Sequence, residues 1–372
     1  MSLPCYSFIH PLIGTQNTVA AYLMEHSASA CAPPQHPALI DTGVTLRHPW
    51  FVPIEHFPTE NAPQNFIALQ RAPAEPSGPP PQALLTRPDT RLPPTGEWAY
   101  LIIPMSHART LPPFALTGLA VRSRVITSDT QNHKDREWAM QSGCSMSTCE
   151  YLLTVNPSRR APDTTRQKML TLLSLIAQDA DTQALEEVLR QEAKLSYSLL
   201  RLVNSAAIAP RTPITSFSQA INLLGRRQLE RWVQLLIFAS PEHGGEANPL
   251  LYTAALRGRM METLVPHLKL LPQSEGLADS AFMIGCFSLL SILLHIPMPE
   301  IVQQLPLNAC IKDALNHHGG SAGQLLLALE AAAHRNLDES TRLLQQLEIS
   351  PEDFLAAQLD ALHWAERIST PL

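Results

Sequence analysis

The sequence predicts an α+β protein of two domains, in which a small α/β domain precedes an all-helical one. Three observations support this prediction. Of the 33 prolines, 22 fall within the first 164 residues, where they exclude long helices. The same part of the chain holds several short strand candidates, whereas apolar residues after residue 162 recur with helical spacing. A basic, proline-flanked segment at 157–162 separates the two patterns and divides the chain into domains 1–161 and 162–372.

The composition is that of a globular protein without a nucleic-acid or membrane partner. Apolar residues make up 45% of the chain, and the net charge of −6 offers no general attraction to nucleic acid or anionic lipid. No basic start precedes an apolar amino-terminal core, and the apolar runs are shorter than a membrane span, so we expect a cytoplasmic protein. Six scattered cysteines without a C-x-x-C pair predict buried free thiols, with neither a zinc site nor a disulfide framework.

The first domain alternates short strands and short helices. Aromatic or β-branched runs bounded by turn residues predict strands at 6–9, 66–69, 98–103 and 124–126. Helices are expected at 17–25 and 134–140. Residues 71–95 are nearly all Pro, Ala, Ser, Thr and Arg, and we expect them to form an irregular, exposed, proline-rich loop.

Residues 195–240 are the most distinctive part of the second domain. Leu195 and Leu199 share one face of a first helix, Pro213 interrupts the chain, and Gly225 separates a second helix from a third. The run LSYSLLRLVNSAAIAPRTPITSFSQAINLLGRRQLERWVQLL resembles the HDOD domain, a bacterial all-helical relative of the HD phosphohydrolases. Further helices are expected at 249–270, 277–294, 299–305, 311–316, 324–335, 340–347 and 351–368.

The HDOD resemblance implies a domain that has lost the metal centre of the HD enzymes. Those enzymes carry an adjacent His-Asp pair on a helix, and the metal that it holds lowers the pKa of bound water. The matching stretch here reads AFMIGCFSL, so Ser288 and Leu289 stand at the lost His-Asp position. We therefore expect no cofactor, metal or catalytic residue. His317 and His318 are interpreted as a helix end and not as a metal clamp, because adjacent helical residues point about 100° apart.

A group of polar residues in the second domain forms a candidate partner-docking patch. These residues either cap helices and pair with acidic neighbours such as Glu187 or Glu230, or dock an acidic or phosphorylated partner. Nucleic acid is disfavoured because residues 165–372 hold 16 basic and 21 acidic side chains. The members of the patch are Arg201, Asn204, Arg226, Arg227 and Arg231.

A second resemblance concerns the first domain. FIHPLIGTQNTVAAYLMEH is similar to the opening of EAL domains, which are TIM-barrel phosphodiesterases of cyclic di-GMP, and VITSDTQNHKDREWAMQSGCSMSTCEYLLTVNPSR is similar to their closing stretch. The Glu-Ala-Leu sequence is absent, and AYLME at 21–25 places an apolar residue where the family has a metal-binding Glu. Roughly 160 residues are also too few for a complete barrel of about 250. We therefore predict a degenerate, shortened EAL-like α/β domain without metal sites.

Together the two resemblances imply a member of the EAL–HDOD family of bacterial signalling proteins. We expect a non-enzymatic regulator that works through protein–protein interaction in networks related to cyclic di-GMP signalling, with a sensor kinase or response regulator as partner. One alternative is a sensor that binds cyclic di-GMP without hydrolysing it. A divergent metal-dependent phosphohydrolase is a third reading.

Overall fold

The computed structural model describes residues 4–27, 37–58, 62–75, 82–112, 114–156, 249–268 and 276–369, with short pieces between 171 and 238. The chain divides into two compact units. The first unit combines Met1–Thr154 with Ala331–Thr341 and Phe354–Ala356, and the second combines Val155–Glu330 with Arg342–Asp353 and Ala357–Leu372. Each unit therefore takes in stretches that are far apart in the sequence.

The first unit contains a closed barrel of eight strands that follow one another in chain order. Strand β1 runs antiparallel to both of its neighbours, β2 and β8, and the remaining neighbours are parallel. The strands are β1 (Ser7–Gly14), β2 (Val19–His26), β3 (Trp50–Pro53), β4 (Phe66–Arg71), β5 (Gln82–Leu85), β6 (Tyr100–Pro104), β7 (Arg124–Ser128) and β8 (Met146–Ser147).

This barrel shows that the predicted fold class, a helical HDOD domain preceded by a small and shortened α/β EAL-like domain, is wrong. The argument from chain length failed because the strands are only two to eight residues long. The described connections from β3 to β6 hold only a 3-10 helix at Ile54–His56. A barrel with such short strands and connections closes with far fewer than the usual number of about 250 residues.

The remaining helices of the barrel lie in the other connections. They are α1 (Pro37–Leu46), α2 (Met105–Ala108), α3 (Ala115–Ala120) and α4 (His133–Gln141), followed by a 3-10 helix at Glu150–Leu153. The predicted strands at 66–69, 98–103 and 124–126 and the predicted helix at 134–140 are confirmed within one or two residues, and the predicted strand at 6–9 is the start of β1.

Two local predictions in the first unit are wrong. Residues 17–25 were expected to be helical, but they belong largely to β2, in which Ala21 and Leu23 alternate into the barrel core. The expected exposed loop at 71–95 contains β5, and its Ala83 and Leu84 are buried. A four-residue strand that is covered on both faces has no alternating pattern, so its turn-forming neighbours dominated the prediction.

The described second half of the chain is helical, as the apolar spacing predicts. The 3-10 helix Val265–His267 extends the first of its helices. The helices are α5 (Pro249–Leu264), α6 (Leu277–Phe287), α7 (Leu290–Leu294), α8 (Met298–Gln304), α9 (Ala309–His317), α10 (Gly320–Ala333), α11 (Leu337–Gln346) and α12 (Pro351–Ser369). The predicted three-helix stretch at 195–240 lies mostly outside the described residues.

One described helical stretch, Leu277–Leu294, is long and apolar enough to cross a membrane by length and composition. A turn at Ser288 and Leu289 divides it into α6 and α7, and half of it is buried inside the fold. A buried core helix passes the same test, so this is weak evidence for a membrane span.

Three described cysteines depart from the expectation of buried free thiols. Cys5 is disulfide-bonded, Cys149 is a thiol that is only half-buried, and Cys310 is free and exposed. Cys144 and Cys286 are free and buried, as predicted, and burial raises the pKa of both thiols, that of Cys144 to about 12. Both buried thiols are therefore unreactive at neutral pH.

Candidate functional site

The carboxyl ends of the parallel strands define one mouth of the barrel, which is the end where functional side chains gather in (β/α)8 barrels. Because β1 is antiparallel, its amino-terminal half reaches the same mouth, and Phe8 pairs there with Glu25. Side chains alternate along a strand, so Glu25 follows the core residue Leu23 on the inward face of β2. We refer to Glu25, Asp129, Glu150 and Arg335 as the mouth cluster.

Arg335 lies at the centre of the mouth cluster and belongs to the same compact unit as the barrel. Its Nε and Nη2 atoms donate to the two carboxylate oxygens of Glu25 at 2.8 and 2.9 Å. Its Nη1 donates to Oδ1 of Asp129 at 2.6 Å and lies 3.6 Å from Oε1 of Glu150. The side chain of Arg335 is only 12% exposed, so its pairs with Glu25 and Glu150 are largely shielded from water, whereas Asp129 is half exposed.

Glu25 is the penultimate residue of β2, and the other three members of the mouth cluster come after the end of a strand or helix. Asp129 comes directly after β7 and Glu150 starts the 3-10 helix after β8. Arg335 follows α10 in a left-handed conformation, with φ of 57°, and the amide of Asn336 donates to the carbonyl of Ala331. Glycine is the usual residue at this position after a helix. The chain therefore accepts a strained backbone here in exchange for a guanidinium group in the mouth.

Two carboxyl groups of the mouth cluster, those of Glu25 and Glu150, have pKa values that are shifted in opposite directions. Burial raises the pKa of Glu25, but the ion pair with Arg335 outweighs this effect and leaves the pKa at about 2. Burial raises the pKa of Glu150 above its usual value, although Arg335 and the Thr148 hydroxyl partly oppose the rise. Glu150 is only 1% exposed, and neither of its oxygens has a hydrogen bond of good geometry with a described residue. Glu25 is therefore firmly ionised, whereas Glu150 resists ionisation.

We expect the substitution Glu150→Gln to stabilise the protein at pH 8 by about 1 kcal/mol, because it removes a buried carboxylate whose desolvation outweighs the attraction of Arg335 and Thr148. The folded-state pKa of Glu150 is raised, so its ionisation costs stability progressively as the pH rises above 4.5. The gain should therefore vanish below pH 4. Urea unfolding of the wild type and the variant at both pH values would measure the difference. A loss of stability at pH 8 would contradict the assignment.

A pair of histidine rings lies at the carboxyl end of β2. The rings of His26, at the end of β2, and His56 lie 4.3 Å apart, and the Ser7 hydroxyl is 3.1 Å from Nδ1 of His26. Burial lowers the pKa of His26 to about 4. Nε2 of His10 lies 3.5 Å from Glu25. Burial also lowers the pKa of His10 to about 4, because it outweighs the attraction of that carboxylate. Both imidazoles are therefore neutral at pH 7.

A buried guanidinium group lies against Ser288, one of the two residues predicted to stand at the lost His-Asp position. Nη1 of Arg257 donates to the Ser288 hydroxyl at 2.8 Å and lies 3.4 Å from Oε1 of Glu330. The second oxygen of Glu330 is 2.8 Å from Nε2 of His318. The Arg257 side chain is 6% exposed and Leu289 is fully buried. An internal cation, paired with an acid and a hydroxyl, thus adjoins the residues that were predicted to have replaced a metal-binding pair.

Removal of this guanidinium by Arg257→Ala is expected to destabilise the second unit by about 3 kcal/mol, because Glu330 would lose its buried partner and a cavity would remain. Ser288→Ala removes one hydrogen bond and should cost only about 1 kcal/mol. Chemical denaturation of the two variants would measure both values. Equal and small losses would show that Arg257 contributes no more than the hydroxyl.

Only Arg231 of the candidate docking patch lies among the described residues, and Arg201, Asn204, Arg226 and Arg227 lie outside them. Arg231 donates to Asp279 at 2.7 Å and also pairs with Glu262, and its guanidinium lies 5.7 Å from the centre of the Phe282 ring. The sequence suggested Glu187 or Glu230 as acidic partners. The observed acids are remote in sequence, and the role of the patch in docking stays a prediction.

The two adjacent histidines bind different partners, as their helical spacing predicts. Nδ1 of His317 is 3.2 Å from Asp313, one turn earlier, whereas His318 ends α9 in a left-handed conformation and pairs with Glu330. The predicted helix end is confirmed. Within the described ranges, no group of three or more His, Cys, Asp or Glu side chains is arranged to hold a metal ion.

Part of this chain is similar to parts of two longer bacterial proteins. An uncharacterized protein of Bacillus subtilis, YuxH, is 29% identical over 199 residues, which are 53% of this chain and 47% of the relative. The cyclic di-GMP phosphodiesterase CdgJ of Vibrio cholerae is 29% identical over 191 residues, which are 51% of this chain and 43% of the relative. The match thus spans about half the length of these curated relatives or less.

The comparisons support one of the two family resemblances. No solved structure matches the chain, and the EAL resemblance of the first domain receives no support. The family model of the HDOD domain matches residues 162–248. The chain therefore carries an HDOD domain at residues 162–248.

Proposed function

We propose that this protein is a non-enzymatic regulator of bacterial signal transduction that acts through protein–protein interaction by its HDOD domain. Two observations of one kind support the proposal: a buried guanidinium group of the chain lies in the mouth of the barrel, and another pairs with Glu330 and Ser288 beside the predicted lost His-Asp position. A metal-dependent phosphodiesterase needs carboxylates and imidazoles that are free to bind metal. In this chain the ion pairs of Arg335 and Arg257 engage those groups.

The docking surface that we propose is the polar patch within the HDOD domain. Its guanidinium groups suit an acidic or phosphorylated segment of a sensor kinase or response regulator, because arginine binds carboxylates and phosphates through two parallel hydrogen bonds. Since Arg231 is engaged by Glu262 and Asp279, we assign the docking role to Arg226 and Arg227. A cytoplasmic location is part of the same proposal.

Quantitative affinity capture from bacterial extract would test this proposal. The full chain and the variant Arg226→Glu with Arg227→Glu are used as baits, and Arg231 is left intact because its replacement would disturb internal ion pairs. Arg122→Glu with Arg124→Glu, two exposed arginines of the barrel unit, is the matched control. We expect specific partners to fall at least tenfold with the first variant only. Unchanged recovery would remove the patch from the proposal.

A second candidate function is a sensor that binds cyclic di-GMP without hydrolysis. The relative named cyclic di-GMP phosphodiesterase favours this alternative, as does the exposed guanidinium of Arg71 at the carboxyl end of β4. Isothermal titration calorimetry with cyclic di-GMP distinguishes the two functions. Heat that saturates at micromolar nucleotide would favour the sensor, and no heat at high micromolar nucleotide would discard it.

A further inference from the structure

The mouth cluster holds more acid than its single guanidinium requires. Three carboxyl groups face Arg335, and two of them, Glu25 and Asp129, already engage three of its nitrogens at 2.6–2.9 Å. The third, Glu150, is 1% exposed and has no good hydrogen bond to a described residue. Acidic groups without a cation would repel one another in this place. The mouth is therefore built around a positive group.

The shape of the cluster selects the kind of positive group. Two parallel hydrogen bonds run from Arg335 to Glu25, and a third runs from its opposite side to Asp129. A planar guanidinium presents donors in this fixed pattern, whereas a primary ammonium group is a compact point charge without it. The arrangement thus fits a guanidinium group much better than a lysine-like amine.

The backbone of Arg335, just after α10, has an unfavourable conformation. Its φ of 57° is unfavourable for a residue with a side chain, and Asp129 has a φ of 56°. Strained residues of this kind persist because surrounding contacts hold them. Here the contacts are the ion pairs of the mouth cluster, so the guanidinium group holds the segment Ala331–Thr341 to the barrel.

We propose that the mouth cluster is a guanidinium-binding site that Arg335 fills from within the chain, and that an external guanidinium ion or arginine side chain occupies it when Arg335 is absent. In the wild type Arg335 acts as a latch for the segment Ala331–Thr341. This site does not depend on what the HDOD domain binds, so its test is separate from that of the proposed function.

Chemical rescue of Arg335→Gly in the full-length protein tests the proposal. Glycine suits the left-handed backbone, so the variant loses the guanidinium without gaining strain. Arg47→Gly is the matched control, because Arg47 also follows a helix with φ of 58° but is exposed. We expect the thermal midpoint of Arg335→Gly to fall by roughly 6–12 °C, and that of Arg47→Gly to stay or rise.

The rescue itself uses guanidinium chloride at about 10 mM, far below the molar concentrations that denature proteins. Guanidinium should restore at least half of the lost midpoint in Arg335→Gly, and methylammonium chloride at equal ionic strength should not. Calorimetry should detect guanidinium binding to this variant and not to the wild type. Equal effects of the two cations, or a wild-type midpoint in Arg335→Gly, would overturn the proposal.

A second variant keeps the test decisive if Arg335→Gly does not fold. Arg335→Lys retains a positive charge in the mouth and lacks the planar donor pattern. We expect its midpoint to lie below that of the wild type and to be unaffected by guanidinium, because the lysine still fills the site. A midpoint equal to that of the wild type would show that charge alone is recognised and would overturn the assignment to guanidinium.

Discussion

Replacement of Glu25 by glutamine is expected to destabilise the barrel unit by about 3 kcal/mol at pH 7, because Arg335 would lose the carboxylate that accepts two of its hydrogen bonds. The shift in the pKa of Glu25 from 4.5 to about 2 corresponds to a stabilisation of about the same size. The carboxyl group is about nine-tenths buried, so little of this interaction is lost to solvent screening.

The pH dependence distinguishes this ion pair from simple packing. The folded-state pKa of Glu25 is lower than its unfolded value, so the stabilisation is fully present above pH 4.5 and is lost as the pH falls towards 2. Wild type and Glu25→Gln should therefore converge in stability between pH 4.5 and 2. Denaturant unfolding across this range would measure the difference. A constant difference at all pH values would contradict the ion-pair account.

Replacement of Gly285 by valine is expected to destabilise the second unit by about 4 kcal/mol or more. A Cβ atom at Gly285 would lie 2.8 Å from both the carbonyl oxygen of Arg257 and the Cα of Gly258. These are backbone atoms of α5, so they cannot rotate away as a flexible side chain would. The two helices would have to separate, and the core contacts around Phe282 would be lost.

Gly118→Val is the matched control for Gly285→Val. Gly118 also lies within a helix, α3, but its Cβ position has no atom within 4 Å. We expect valine there to change stability by less than about 1 kcal/mol. Circular dichroism during urea unfolding would compare the two variants. Equal effects would mean that helix propensity, and not the contact between α5 and α6, decides the outcome at Gly285.

The helical half of the chain could be predicted from local pattern. Its helices, such as α9 and α12, carry apolar residues every three or four positions, and prolines or capping residues mark their ends. The barrel could not be predicted in this way. A short parallel strand such as β5 has no period of two, and barrel closure depends on pairing between distant strands.

The mouth cluster was missed by sequence reasoning because its members come from four distant places in the chain. In the sequence Glu25 stood out only because it lies in the stretch where the Glu-Ala-Leu motif is absent. Asp129 and Glu150 follow strands of five and two residues, which are too short to give a clear pattern. One local signal was present: Arg335 stands after a helix where glycine is usual. Only the fold shows that its side chain meets three carboxyl groups.

The docking patch illustrates the opposite case, in which residues were noticed but their contacts were unknown. Arg231 stands four residues after Arg227, a spacing that predicts one helical face, and the sequence left open whether Arg231 is structural or binds a partner. Its pairing with Glu262 and Asp279 depends on helix packing across 31 and 48 residues and has no local sequence signal. Arg226 and Arg227 remain the residues on which the proposed docking depends.

The most direct test of the central claim is a hydrolysis assay with cyclic di-GMP in the presence of Mg²⁺ or Mn²⁺, using the full-length wild type and Arg335→Gly. If internal arginines have replaced the metal centres, neither protein should release product above a blank without protein. Hydrolysis by both would contradict the non-enzymatic function. Hydrolysis by Arg335→Gly alone would also contradict it, because Arg335 would then block an intact active site.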